Sequence, residues 1–154
     1  MQLLMKRCLI FINLLLLWLA PCQAMIVEQD SAANREYQLL MEIRGREVTG
    51  ICIVNAEDAN HMVGTLVNEF GVKAFDFTYA NGKAKVLNVV GPLNKWYIKK
   101  VLKRDFRFIL PNLWRGKDVV EKKRRLTVMP NGDIIIRNDR FKIVYTFTPI
   151  TEKE

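Results

Sequence analysis

The stretch Lys73–Val90, KAFDFTYANGKAKVLNVV, decides the fold. Phe75, Phe77 and Tyr79 recur at every second position behind Lys73, and Ala74, Asp76 and Thr78 fill the alternate positions. A period of two marks a strand that turns one face to a core. Asn81-Gly82 follows at once, a pair suited to the positive φ angles of a two-residue hairpin turn. Lys83–Val90 then returns as the partner strand.

The same alternation extends toward the N-terminus. Tyr37, Leu39, Met41 and Ile43 alternate with Gln38, Leu40, Glu42 and Arg44 up to a turn at Gly45-Arg46. Val48, Gly50, Cys52 and Val54 make a second strand, Asn55–Asn60 a polar turn, and His61–Phe70 a third strand that Gly71 breaks. Beyond Gly91-Pro92 the period changes. Leu93, Trp96, Tyr97, Val101, Leu102, Asp105 and Phe106 recur at three- and four-residue steps, with Lys95, Lys99, Lys100, Lys103 and Arg104 on the opposite arc. This predicts an amphipathic helix over 93–109, ending before Pro111. A very basic stretch, Lys117–Arg125, leads into strands at Leu126–Met129, Ile134–Arg137 and Phe141–Thr148. The expected fold is α+β: a curved antiparallel sheet of about eight strands with a helix on or over its concave face.

The whole chain has 154 residues, room for one domain, with half its residues apolar and a formal charge of +8. One His (His61), one Ser (Ser31) and three Cys (Cys8, Cys22, Cys52) leave little for a Ser–His–Asp site or a zinc site. No enzyme activity, cofactor or metal is implied. A paired-carboxylate hydrolase would need Glu69, Asp76 or Asp105 to face one another; ion pairing with nearby Lys is the plainer reading of these acids.

Residues 1–24 read as an export signal: Lys6-Arg7, then a run of 13 mostly apolar residues, Cys8–Ala20, where a bilayer span needs about 20. A retained anchor is the competing reading. Leu19-Ala20-Pro21-Cys22 is similar to the lipoprotein processing box, which would make Cys22 the lipidated residue; the other cut falls after Ala24. Residues 25–35 suit a tether, and 36–150 form the domain. The expected location is the outer membrane, as a lipoprotein facing the periplasm, with a soluble periplasmic protein as the alternative.

The run Gly64–Tyr79, Asn81-Gly82-Lys83, and the helix with Asn94-Lys95 and Lys103-Arg104-Asp105-Phe106 resemble the lipoprotein-carrier (LolA/LolB-like) superfamily, in particular its small lipoprotein-type members. The resemblance covers about residues 35–150. It implies a half-open β-barrel with a helical lid over an apolar concavity, and acyl chains or lipoproteins as cargo. Phe75, Phe77, Tyr79, Trp96, Phe141, Ile143 and Tyr145 are the candidate cavity lining, with plain core packing as the alternative. Lys99, Lys103, Lys122, Lys123, Arg124 and Arg125 are the candidates for anionic headgroups at a membrane surface, with a solvated face as the alternative. Expected partners are acyl or lipoprotein cargo, an anionic membrane surface and a periplasmic carrier or envelope complex; nucleic acid is not expected. A structural lipoprotein docking an envelope assembly through its basic face is the second hypothesis.

Overall fold

A computed structural model describes residues 33–150. Nine antiparallel strands form one open sheet: β1 (Ala33–Ile43), β2 (Arg46–Asp58), β3 (His61–Val67), β4 (Lys73–Ala80), β5 (Lys83–Leu87), β6 (Val119–Glu121), β7 (Arg124–Val128), β8 (Ile134–Asn138) and β9 (Ile143–Pro149). The one α-helix among the described residues, α1, spans Trp96–Arg115 between β5 and β6, after a 3-10 turn at Gly91–Leu93. The spatial order is β5-β4-β3-β2-β1-β9-β8-β7-β6. Two meanders are thus joined where β1 meets β9, with Ile43 opposite Ile143 and Leu39 opposite Phe147.

The alternation read from the sequence is the alternation of burial. Phe75, Phe77 and Tyr79 point into the core from β4, and Leu39, Met41, Cys52 and Val54 do so from β1 and β2. Asn81 and Gly82 take φ of 48° and 77°, as the hairpin requires. Gly64 faces Phe77 across the β3–β4 ladder. A Cβ on it would collide with the Ile53 carbonyl and the Phe77 ring, so a bare backbone there makes room for the aromatic side chain.

The curl of the sheet follows from one side chain. In the strand order β4 and β9 are four places apart, about 19 Å in a flat sheet. The Phe106 ring lies 5.4 Å from Phe75 on β4 and 6.5 Å from Tyr145 on β9, so those two rings are at most about 12 Å apart. The sheet therefore bends around α1, and Phe106 wedges into the hollow of the bend.

Four local readings are corrected. The helix starts at Trp96 and continues through Pro111 to Arg115. Pro111 removes only the N–H that would meet the carbonyl of exposed Arg107, which water can satisfy. Burial of Phe108, Ile109, Leu110 and Leu113 favours continuing the helix, and Gly116 ends it at φ 59°. A ninth strand, β6, pairs with β7 where the sequence showed only a run of charge. Strand β1 begins at Ala33, inside the expected tether. Strand β3 stops at Val67, which leaves Phe70 in an exposed turn.

Candidate functional site

The concave face is built in layers of side chains that α1 closes from above. Phe75 and Phe77 of β4 meet Phe106 at ring distances of 5.4 and 5.0 Å, and Tyr145 of β9 meets it at 6.5 Å. Tyr79 and Ile143 are buried in the same core, beside Ile109, Leu110 and Leu113 of the helix. Five of the seven candidate lining residues are thus brought into one interior, and that interior is filled by the helix itself. Phe141 packs against the margin of this core, and Trp96 lies outside it. Trp96 is 74% exposed in the first helical turn, edge-on to Tyr97. Phe141 is half-buried in the β8–β9 turn under the Arg140 guanidinium.

A polar cluster sits within this core. The Asp105 carboxylate is 1% exposed and accepts hydrogen bonds from Arg124 Nε at 2.8 Å, Asn138 Nδ2 at 2.7 Å and the Tyr145 hydroxyl at 2.8 Å. One residue of α1 is so joined to β7, β8 and β9. A buried carboxylate is tolerated only with such partners. Burial, and then the Asp105 charge, push the Tyr145 phenol well above its usual range, which keeps it a donor. Arg124 is committed to Asp105 and is largely covered. The other headgroup candidates, Lys99, Lys103, Lys122, Lys123 and Arg125, are exposed.

Asp76 lies on the outer face instead. It accepts from Lys73 and from Asn88 Nδ2, whose hydrogen bond is the largest cause holding its carboxyl below the usual range. Asp76 and Asp105 do not meet. Cys52 is a free, buried thiol pushed up to about 12 by burial, which makes it inert as a nucleophile. His61 sits at the head of β3, its Nδ1 3.3 Å from Asp58. Among the described residues no cluster of His, Cys, Asp and Glu could hold a metal, and no helix is long and apolar enough to cross a membrane. Cys22 lies outside the described residues.

The two best-formed hollows among the described residues are open grooves. The larger, about 660 Å³, lies where the C-terminal end of α1 meets the sheet. Tyr37, Leu113, Ile134, Pro149 and Ile150 give it apolar walls, and Asn34, Arg35 and Glu36 give it a polar rim. Arg35 bridges its mouth: the guanidinium stacks on the Trp114 ring at 3.8 Å and donates to the Trp114 carbonyl at 3.3 Å. Sequence reading missed this site because Arg35 stood in the polar tether and Trp114 beyond the expected helix. The smaller groove, about 430 Å³, is lined by Arg44, Arg140, Phe141 and Lys142.

No protein-family model matches the chain, and no curated protein matches it.

Proposed function

We propose that this chain is a non-catalytic, exported envelope lipoprotein that binds an acyl chain, free or carried on a lipid or lipoprotein, during localisation to the outer membrane. The observation that carries this reading is the open groove where the C-terminal end of α1 meets β1, β8 and the end of β9. Its volume of about 660 Å³ falls within the range of about 300–1,000 Å³ common to small-molecule sites. An acyl chain would lie along Tyr37, Ile134 and Leu113, displacing water from apolar wall at about 25 cal/mol per Å². Arg35, at the mouth, would swing from Trp114 to an anionic end group. The resemblance in the β3–β5 and helix segments and the export-type N-terminus support the same reading. No bond is made or broken in this scheme.

A second reading is favoured by Phe106, which fills the bend of the sheet. In that reading the core is permanently closed and the protein is an interaction lipoprotein of an envelope assembly. Titration of residues 25–154 with a fluorescent fatty acid separates the two. Ile150→Trp, at an exposed wall of the groove, should abolish binding while the unfolding midpoint stays near wild type, and Arg35→Glu should weaken binding of the fatty acid but not of its methyl ester. Absence of binding by the folded wild-type protein leaves only the second reading.

A further inference from the structure

We infer that one end of the sheet, the end opposite Ala33, is a docking surface for an anionic lipid bilayer. In an antiparallel meander every second connection returns to the same end. Here the register puts the β1–β2, β3–β4, β6–β7 and β8–β9 turns and the connection from β5 to α1 together. Ile43 faces Ile143, Val67 faces both Ile51 and Lys73, Asp139 N–H donates to the Lys123 carbonyl at 2.9 Å, and Val90 N–H donates to the Ala74 carbonyl at 2.9 Å. Ala33 pairs with Ala56 at the other end, so the chain enters the domain on the far side.

The two ends differ in charge. The connections at the first end carry Arg44, Lys95, Lys122, Lys123, Arg140 and Lys142, all exposed, against Glu69 and Asp139. Lys99 and Lys100, also exposed, extend the cations into the first helical turn. The connections at the Ala33 end carry Asp118 and Asp133 against Lys117, and among the flanking residues Glu57 and Asp58 closing β2 are matched by Lys83 opening β5 and Arg115 closing α1. A charge run on a helix alone is explained by solvation; a segregation of cations to one end across four of its five connections is not.

The same end carries unburied apolar side chains. Phe70 is 81% exposed, Val72 57%, Val90 47%, Trp96 74% and Tyr97 51%. All five belong to the β3–β4 turn and the passage from β5 into α1. Aromatic rings interleaved with lysines match the chemistry of the bilayer interface, where rings sit at headgroup depth and cations pair with phosphates. On the other flank of this end, Arg44, Arg140 and Lys142 converge on the open groove beside Phe141, a fit for a lipid phosphate. The molecule would stand with its strands steep to the surface and with the groove at the end of α1 facing away from it. Docking therefore uses different side chains from acyl binding and does not rest on it.

Residues 25–154 contain every described strand, the described helix and the whole described core, and can be tested by co-sedimentation with vesicles. Binding is expected to vesicles containing phosphatidylglycerol and to be about tenfold weaker to phosphatidylcholine alone. Phe70→Ser with Trp96→Ser, and separately Arg140→Glu with Lys142→Glu, should each weaken it by about tenfold. Lys83→Glu with Lys117→Glu, which changes charge as much at the Ala33 end, should leave it unchanged. These side chains are exposed, so unfolding midpoints should hold in all three pairs. Equal loss from the far-end pair, no loss from the near-end pairs, or no vesicle binding would overturn the inference. So would binding to soluble polyphosphate as tight as to vesicles and indifferent to Phe70 and Trp96. Fatty-acid titration without vesicles reports on the groove alone, so the two failures are distinguishable.

Discussion

The two ends of α1 share one amphipathic pattern and meet different fates. From Leu102 to Leu113 the apolar arc is buried, and Asp105 within it is tied to three strands. In the first turn, Ile98 and Val101 carry that arc onward and pack on the core, whereas Trp96 and Tyr97 face solvent, Trp96 on the side of Lys99, Lys100 and Lys103. The difference is one of face: these two rings sit where the helix otherwise presents cations. Apolar side chains on the covered face are buried by the strands, and those on the opposite face stay in water. The covered part holds the fold together, and the uncovered part is free to meet a partner.

The sharpest way to break this comparison is at the covered end. Phe106→Ala removes the ring that touches β4 and β9 and should cost about 3–5 kcal/mol in denaturant unfolding. Asp105→Ala strands a largely covered Arg124 and should cost about 3–5 kcal/mol, whereas Asp76→Ala on the outer face should cost under about 1 kcal/mol. Equal losses at the two aspartates would mean that burial does not distinguish them. Tyr145→Phe removes a single buried donor to Asp105 and should cost about 1–3 kcal/mol at neutral pH.

The pH dependence sharpens the same point. Burial raises the Tyr145 and Tyr37 phenols from 10.0, and the Cys52 thiol from 9.0 to about 12. In the unfolded chain these groups lose protons at their ordinary values while the folded protein still holds them. Stability should thus be flat with respect to these groups below about pH 9 and fall as pH rises further. Tyr145→Phe should make that alkaline fall shallower. The smallest effect belongs to the uncovered end: Trp96→Ser should change stability by less than about 0.5 kcal/mol.

Much of the fold was legible because alternation on strands and three-to-four steps on a helix are direct images of burial. The hairpin at Asn81-Gly82 and the inward set Phe75, Phe77 and Tyr79 needed nothing more. Asp105 stood on the apolar arc, yet a solvent-facing position or an ion pair with a nearby Lys was the plainer reading; its partners are Arg124, Asn138 and Tyr145. Which cation answers it was not readable, since Arg124 stands among Lys122, Lys123 and Arg125 with nothing local to mark it as the one turned inward. Trp96 was misplaced because an apolar residue at the start of a helix can be fitted to a three- or four-residue step on either side; Phe141 does pack against the margin of the core. The groove at the end of α1 depended on contacts between residues 35 and 114 and on a helix that passes through a proline, neither of which a local pattern encodes.

The most direct measurement is by NMR: contacts between the methylenes of bound palmitate and the methyl groups of isotope-labelled residues 25–154. Acyl binding at the end of α1 predicts contacts to Leu113, Ile134 and Ile150, those to Leu113 and Ile134 being lost in Ile150→Trp. Contacts confined to Val72 and Val90 at the opposite end, or none to any methyl group of the folded protein, would contradict it.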